Sequence, residues 1–466
     1  MILFVYIKIY QKKGIFMAKI TDMTTGKPAR LLVGFALPML LGNLFQQLYS
    51  MVDTIVVGRG VGVEALASVG AAGWLDWLVL GMVIGLTQGF AILISQRFGA
   101  EDYEGLRKSV TMSMLLSAVT IVVFTVTALL IARPLLEFLN TPAQTIDGAH
   151  LYISIIYMGI PIVMTYNLLA AILRALGDSK TPLVAMVIAS LINIGLDVLF
   201  VMGFGWGIAG AAIATVMAQC CSCVFCLFSV VRIPILRFQK EDWRFDGATC
   251  KELLRLGLPV TLQNAVICGG GLVVQYIVNG FGYIFVAGVT AANKLCGLME
   301  QAGSSFAAAM GTFAGQNLGA KKYDRIREGI KKALLISIII AFSIAAVVIA
   351  FGRYIVRFFI SDEPEVVAQV VDAAYPYLVI MGLCLFVLYA LFVYRTTLQG
   401  MGDTLIPMVS GIVELFMRIG MVLLLSAVAG KYGVYFAEVG AWVGAAILLM
   451  IAYYWRIGKI CPKQKE

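Results

Sequence analysis

Charge is scarce in this chain. Only 13% of its 466 residues are charged, whereas 61% are hydrophobic. Soluble domains are about 25% charged and about 45–50% apolar, and their surfaces could not accommodate this apolar excess. The composition therefore excludes a soluble enzyme and a disordered or fibrous chain. It leaves a polytopic helical membrane protein.

Histidine and regularly spaced cysteine are also lacking. His150 is the single histidine, which excludes histidine-dependent metal sites and Ser-His-Asp catalysis. Cys220, Cys221, Cys223 and Cys226 include Cys-x-x-Cys spacings, but they lie in an apolar run with no histidine or carboxylate nearby. We interpret them as small buried apolar residues. The sequence predicts no metal site, no cofactor and no enzyme activity.

Twelve apolar runs are bounded by charged residues, glycine or proline. Each is long enough for a transmembrane helix, which needs about 20 residues. The predicted spans are about 31–57, 63–94, 109–132, 150–173, 183–203, 207–231, 254–281, 284–314, 333–352, 375–396, 405–428 and 433–455. The apolar stretch 1–16 is too short and too interrupted by lysine to span, and Met17 is an alternative start.

Lysine and arginine are distributed unevenly between the loops. Of the 35, 28 fall on the side of the N-terminus and five on the opposite side, while Lys294 and Arg418 fall inside predicted spans. Cytoplasmic loops carry the excess of basic residues, so we predict cytoplasmic termini in a bacterial or archaeal plasma membrane. We interpret the net charge of +9 as this signal and expect no nucleic-acid partner.

The second half of the chain repeats motifs of the first half. Gln96-Arg-Phe-Gly-Ala-Glu-Asp-Tyr103 reappears as Gln316-Asn-Leu-Gly-Ala-Lys-Lys-Tyr323, at an offset of 220, and Leu37-Pro38 recurs as Leu258-Pro259, at an offset of 221. A period of six spans gives both halves the same orientation, as in transporters with parallel repeats and a substrate site between the halves. The predicted segments are a cytoplasmic tail 1–29, a six-helix bundle 30–231, a cytoplasmic linker 232–253, a second bundle 254–455 and a cytoplasmic tail 456–466.

Charged side chains inside the predicted spans are functional candidates, because each costs about 2.5–3.5 kcal/mol at mid-bilayer. They are Asp53, Asp76, Asp197, Lys294, Glu300, Glu414 and Arg418. Asp53 ends a polar face of span one, which also carries Asn43, Gln46, Gln47 and Ser50 at spacings of three and four. Such a face must contact protein or water. Pro38 predicts a bend near the start of the same span.

Asn193 and Asp197 share one face of span five, and Thr215 and Gln219 are spaced similarly in span six. An apolar environment favours the neutral form of an unpaired carboxyl, so Asp53 and Asp197 are candidates for proton exchange. An amide such as that of Asn193 can serve either protonation state, because it both donates and accepts. The alternative is a hydrogen-bond network that holds the first half together.

The second half has different polar residues. Arg418 aligns with Asn193, and Val422 aligns with Asp197, at an offset of 225. Glu414 and Arg418 are four residues apart, and we interpret them as a structural ion pair.

Span eight offers a candidate second polar site in the same half, with Lys294, Glu300 and Gln301. Asp76 lies between Trp74 and Trp77, a position typical of the membrane interface.

Several of these motifs resemble those of the multidrug and toxic compound extrusion (MATE) transporters. They are Leu37-Pro38 with Asn43 and Val52-Asp53-Thr54, Leu173-Arg-Ala-Leu-Gly-Asp178 with Thr181-Pro182, Asn193-Ile-Gly-Leu-Asp197, Gly210-Ala-Ala-Ile-Ala-Thr215 and the duplicated Gln-x-x-Gly-Ala-x-x-Tyr. The resemblance covers about residues 30–455. It implies an all-α fold of twelve transmembrane helices in two pseudo-symmetric six-helix bundles, and export of drugs or organic cations by alternating access, in exchange for H⁺ or Na⁺.

The resemblance also implies ion-coupling residues. Asp53, Asn193 and Asp197 match the family's first-bundle site, with Thr215 on span six and, more loosely, Asn167 on span four. A sodium-coupled branch instead uses a glutamate on span seven. That span here carries only Gln263, Asn264 and Gln275 as polar candidates, which favours the first bundle.

The expected mechanism begins with protonation of Asp53 or Asp197 from outside, which repacks span one near its Pro38 hinge and expels the substrate. Candidate residues for the substrate cavity are Asn43, Gln46, Tyr49, Tyr166, Gln263, Asn264, Tyr276 and Glu300. Aromatic and acidic groups suit small cationic or amphipathic substrates, and we expect a monomer in the lipid bilayer.

Two other classes of function stay open. A lipid-linked saccharide flippase would need a basic cavity, whereas intramembrane carboxylates here outnumber bases five to two. A channel or a membrane-embedded enzyme is the third class, although no filter repeat or catalytic cluster is seen.

Overall fold

The computed structural model describes residues 20–139, 141–358 and 364–460. In this part of the chain there are thirteen α-helices and no β-strand. The helices are α1 (Pro28–Gly60), α2 (Val63–Gly99), α3 (Tyr103–Phe138), α4 (Ala143–Met158), α5 (Ile160–Ala175), α6 (Lys180–Asp197), α7 (Gly207–Val231), α8 (Gly247–Asn279), α9 (Tyr283–Gly319), α10 (Tyr323–Phe358), α11 (Pro364–Gly400), α12 (Leu405–Ala429) and α13 (Lys431–Ile460). The possible start at Met17 and most of both predicted tails lie outside the described residues.

Each of the twelve predicted spans is helical, and the predicted all-α class is confirmed. Most helices extend several residues beyond the apolar run, because polar residues continue the backbone hydrogen bonding. Within the described residues, nine helices are long and apolar enough to cross a membrane, and α4 with α5 makes a tenth span bent by 49°. The remaining two helices, α8 and α9, correspond to α1 and α2 in the sequence repeat.

The two spans predicted at 150–173 and 183–203 were expected to be uninterrupted helices, but both are interrupted. The first breaks at Gly159, because Pro161 in the opening turn of α5 has no N–H to continue the hydrogen bonding of α4. The second changes after Asp197 into a π-helical turn, Val198–Gly203. Such turns are rare and frequently lie at functional sites.

The chain divides into two compact units, and α1 and α8 contribute residues to both. The first unit contains Met1–Asp22 and Leu41–Thr261, and the second contains Met23–Leu40 and Leu262–Glu466. This division differs from the predicted bundles 30–231 and 254–455. In each of the two helices the change of unit follows two residues after an internal proline, Pro38 in α1 and Pro259 in α8.

In the first unit, glycines allow the start of α8 to pack directly on α2. A methyl group on Gly89 would overlap the backbone of Gly257, and one on Gly85 would lie 2.8 Å from the Cα of Thr261. Leu253 and Leu256 of α8 are buried in the same apolar cluster as Phe90 of α2. This contact explains why residues 247–261 belong to the first unit.

In the second unit, one apolar cluster joins the start of α1 to α8 and later helices. Met23 and Leu32 are fully buried in it, together with Phe35 and Ala36. The hydroxyl of Tyr389 donates to the carbonyl of Met299 at 2.6 Å, which ties α11 to α9. The first residues of α1 are therefore part of the second unit's core.

The sequence repeat is also visible in the backbone. Glu101 and Lys321 occupy the same position in the two copies of the duplicated motif, and they adopt left-handed φ angles of 57° and 58°. Both form the turn that follows a long helix, α2 in one case and α9 in the other. Two non-glycine residues in this unusual conformation indicate that both loops are built alike.

Asp246 caps the start of α8. Its Oδ1 accepts a hydrogen bond from the Ala248 N–H at 3.0 Å, and its Oδ2 accepts one from the Thr249 hydroxyl at 2.8 Å. The Lys108 Nζ lies 3.4 Å from the same carboxylate. The Thr249 hydroxyl foremost, with backbone N–H groups and Lys108, lowers the pKa of Asp246.

We expect Asp246→Ala to lower the stability of the first unit by about 1 kcal/mol, the usual cost of a lost N-cap. Asp246→Asn keeps a capping oxygen and should lose less. A lowered pKa means that the stabilisation is complete above the ordinary aspartate value, near about 4, and is lost as the pH falls through the lowered value. Thermal unfolding in detergent at about pH 5 and about pH 8 should therefore show the same difference between variants. Equal midpoints for Asp246→Ala and the parent protein would contradict the capping role.

Candidate functional site

Asp197 and Asn193 lie fully buried at the end of α6. Asp197 is 0% exposed and Asn193 is 1% exposed. Within the described residues, neither carboxylate oxygen of Asp197 and neither amide atom of Asn193 has a hydrogen-bond partner. Buried polar groups are nearly always hydrogen-bonded, so four unpartnered atoms on one helix face suggest a place for a ligand.

Asp53 of α1 is close enough to Asp197 for the two carboxyl groups to interact electrostatically. Asp53 is half-buried, and its Oδ1 has no hydrogen-bond partner within the described residues. Tyr49 and Tyr152 interact electrostatically with both carboxyl groups. The structure thus places Asp53, Asp197 and Tyr49 in one group, which spans α1 and α6.

Asp76 belongs to the same group, whereas the sequence analysis, which included it among the charged candidates, favoured a position at the membrane interface. It is half-buried on α2 and interacts electrostatically with Tyr49, Tyr152 and Tyr157. Its neighbours Trp74 and Trp77 are exposed, with ring centroids 5.9 Å apart. The presence of an acid in an apolar span was the one signal available in the sequence.

Two further residues implied by the resemblance are less closely engaged. Thr215 is half-buried on α7. Asn167 is half-buried on α5, and its Nδ2 donates to the Val163 carbonyl of its own helix at 2.8 Å. Asn167 therefore has a local partner, unlike Asn193.

The predicted cavity residues of the first unit lie mainly on α1. Asn43, Gln46 and Tyr49 are half-buried, and the side chains of Gln46 and Tyr49 are hydrogen-bonded to each other. Tyr166 on α5 interacts electrostatically with Tyr49 and with Arg174. These residues present polar and aromatic surface near the Asp53 carboxyl.

The predicted cavity residues of the second unit whose side chains are described do not form a comparable group. Gln263 is buried, and its Oε1 accepts a hydrogen bond from the Gln399 amide at 3.0 Å. Asn264 is half-buried, and the Tyr276 side chain lies outside the described part of the structure. Glu300 is half-buried and within electrostatic range of Arg418 and Glu414.

Four charged side chains form a buried network in the second unit. Glu414 of α12 accepts from the Arg395 Nη2 at 2.7 Å and from the Arg418 Nη2 at 3.1 Å. Glu438 of α13 lies 2.9 Å from the same Arg418 nitrogen. The side chains of Arg395, Glu414 and Arg418 are 9%, 6% and 8% exposed. Gly270 of α8 leaves room for Arg418, because a methyl group there would lie 2.7 Å from the guanidinium.

This network enlarges the predicted Glu414–Arg418 pair and corrects the loop count of basic residues. Arg395 was counted with the loops, but it is buried inside α11, so it does not belong in that count. Glu438 was also missed. Both positions lie inside predicted spans, and a complete count of charges within the spans would have found them. Lys294, by contrast, is exposed on α9.

The model of the MatE family matches residues 38–199 and 259–424. The two matches begin at Pro38 and Pro259, the two prolines of the repeated Leu-Pro pair. Together they cover more than half of the chain. The chain belongs to the MATE family.

Relatives and solved structures agree with this assignment. The chain is 30% identical over 353 residues to Probable multidrug resistance protein YpnP of Bacillus subtilis (strain 168), covering 75% of this chain and 78% of that protein. It is 28% identical over 337 residues to Probable multidrug resistance protein YoeA of the same organism, covering 71% and 73%. A crystal structure of MATE in complex with MaL6 has a TM-score of 0.89 at 24% identity, covering 95% of this chain and 99% of the other.

These similarities establish a MATE transporter with twelve transmembrane helices in two bundles, a multi-pass membrane protein and not an enzyme. The alternative of a lipid-linked saccharide flippase is not favoured, since both relatives are named for multidrug resistance.

Proposed function

We propose that this MATE transporter exports drugs or organic cations from the cell in exchange for H⁺ or Na⁺, by alternating access. One observation carries the proposal: the Asp197 and Asn193 side chains are buried without hydrogen-bond partners within the described residues, next to Asp53. The excess of basic residues in alternate loops supports cytoplasmic termini in the plasma membrane. The proposed working form is a monomer.

An ionised carboxylate without a partner is very costly in an apolar interior. Asp197 must therefore be neutralised, either by a proton or by a bound cation. Proton binding requires one carboxylate, and sodium binding requires several oxygen ligands, which Asp197, Asp53 and Asn193 can supply. The donor set supports exchange of a small cation at this position.

Competition for the same negative charge supports antiport. Asn43, Gln46 and Tyr49 lie on the helix that carries Asp53, and aromatic rings attract organic cations. A cationic substrate in this region and a coupling ion on Asp53 or Asp197 would each neutralise the same carboxyl groups. Occupancy by one then disfavours the other, which is the thermodynamic requirement for exchange.

The π-helical turn offers a route from Asp197 to α1. Val201 of this turn packs in one apolar cluster with Val56 and Val57. A methyl group on Gly60 would lie 2.9 Å from the Val201 side chain. Asp197 directly precedes this turn, so its neutralisation changes the charge beside the turn. In the proposed mechanism α1 responds by bending near Pro38, where a backbone hydrogen bond is lacking.

The driving force is sufficient for useful export. Each net charge that enters during the exchange at a potential of 100 mV provides about 2.3 kcal/mol, which supports a concentration ratio of about 50-fold. For a monovalent organic cation, two entering ions per substrate provide this net charge.

Transport by the purified protein in liposomes tests the proposal. Ethidium or a fluoroquinolone should be moved when a proton or sodium gradient is imposed, and independent variation of pH and sodium identifies the ion. In expressing cells, accumulation of the same compounds should fall and should recover when a protonophore or sodium ionophore is added. Accumulation that is unchanged across a broad dye panel, with no gradient-driven transport in liposomes, would contradict the proposal.

A further inference from the structure

The segment that precedes α1 is held by the second copy of the duplicated motif. The N–H of Met23 donates to the Gln316 Oε1 at 2.8 Å, and the Met23 carbonyl accepts from the Asn317 Nδ2 at 3.1 Å and from the Arg325 Nη2 at 3.2 Å. Met23, Gln316 and Asn317 are 0% exposed. Both backbone groups of one residue are therefore satisfied by side chains about 290 positions away.

Neighbouring residues add to these contacts, which together we call the seat of the segment before α1. Lys322 donates to the carbonyl and hydroxyl of Thr24 at 3.0 and 3.1 Å. The Arg325 Nε donates to the Asn317 Oδ1 at 3.0 Å, which fixes the orientation of the amide that holds Met23. A buried polar network whose members are hydrogen-bonded to one another is rigid and specific. The seat thus fixes the start of α1 within the second unit.

The first unit contains a similar arrangement before α8. Arg107 Nε donates to the Asp242 Oδ2 at 3.0 Å, and the Thr111 hydroxyl donates to the Asp242 carbonyl at 2.6 Å. Both residues are in the first turns of α3, directly after the first copy of the motif. In both units, residues in or directly after the duplicated motif therefore bind the segment that precedes α1 or α8, the two helices that contribute residues to both units.

We infer that Gln316, Asn317 and Arg325 are positioning residues for transport, because they fix the beginning of α1 while its later part carries Asp53. With residues 23–40 held in the second unit, a bend near Pro38 displaces the part of α1 after Leu40. Without the seat, residues 23–40 could move when α1 bends, and the part of α1 after Leu40 would be displaced less. This inference rests on the proposed exporter function.

Arg325→Gln tests the inference, with Arg327→Gln as its matched control. Arg327 lies two residues away and forms a 3.6 Å ion pair with Asp324, whose side chain is 88% exposed. Hydrogen–deuterium exchange at residues 20–27 should rise at least about tenfold in Arg325→Gln, because hydrogen bonds from a charged donor are lost. Exchange should also rise at residues 41–60 of α1. The Arg327→Gln variant should match the parent protein in both regions.

The transport measurement separates positioning from general damage to the fold. In Arg325→Gln, the maximal transport rate should fall about tenfold while the dissociation constant for ethidium changes less than about twofold, and Arg325→Lys should recover part of the rate. Equal loss of binding and rate, or a normal rate despite increased exchange, would overturn the inference.

The exchange experiment does not depend on transport. If the parent protein moves none of the tested compounds, the exporter proposal fails by itself. The positioning role is then decided by exchange at residues 41–60, and a rise confined to residues 20–27 overturns it.

Discussion

Replacing Asp197 by asparagine should abolish gradient-driven export and leave the protein folded. The variant keeps the shape of the side chain but can no longer exchange a positive charge, so the gradient-driven concentration ratio, about 50-fold for each net charge that enters at 100 mV, should be lost. Since Asp197 has no hydrogen-bond partner within the described residues, asparagine removes a potential buried charge and breaks no bond. We therefore expect an unchanged or raised thermal midpoint, as is common when strained functional residues are replaced.

Three comparisons make this experiment specific. Asp53→Asn should show the same loss of coupling, because its carboxyl group interacts with that of Asp197. Asp147→Asn is the matched control, since this carboxylate is 78% exposed and pairs with Arg133 at the protein surface. Its transport should equal that of the parent protein. If Asp53→Asn and Asp197→Asn both export normally, the coupling site is wrongly assigned.

Replacing Glu414 by glutamine should destabilise the second unit by about 3–5 kcal/mol, the usual cost of removing one partner from a buried ion pair. Arg395 would lose its 2.7 Å partner, and among the described residues it would retain the Ser410 hydroxyl at 3.5 Å. Arg418 would keep Glu438. The loss can be measured as a lower thermal midpoint and a smaller monodisperse fraction in detergent.

Glu438→Gln is the matched control for this prediction. Its side chain is 17% exposed, and Arg418 would still pair with Glu414 at 3.1 Å. We expect a smaller loss than for Glu414→Gln. Combining Glu414→Gln with Arg395→Met should recover part of the stability, since the unpaired charge is removed together with its partner. A Glu414→Gln protein as stable as the parent would show that the network has no structural role.

The fold was predictable because the lipid environment imposes a simple rule. Every backbone polar group must be bonded within the span, so long apolar runs can only be helices, and all twelve were recognised. The breaks were harder to predict. Pro161 was visible in the sequence, but the π-helical turn after Asp197 packs through its Val201 side chain on Gly60 of α1, which is far away in the chain.

The candidate site was predictable where the polar residues share one helix face. The spacing of Asn193 and Asp197 placed them together, and the scarcity of intramembrane charge singled out Asp53. The grouping of Asp76 with Tyr49 and Tyr152 requires contacts between several helices, which periodicity does not contain. Arg395 was counted with a loop although it lies inside the predicted span 375–396, near its end, so this error came from the count and not from a missing signal in the sequence.

The exchange of helix segments between the two units also has a consequence for how the protein is made. The Met23 N–H finds its partner on Gln316, 293 residues later in the chain. At an elongation rate of about 5–20 residues per second, the ribosome needs roughly 15–60 s to supply that partner. Throughout this interval the segment that leads into α1 lacks its partners in the second unit, so quality-control proteases and insertion chaperones can reach it for longer than segments whose partners lie nearby in the chain.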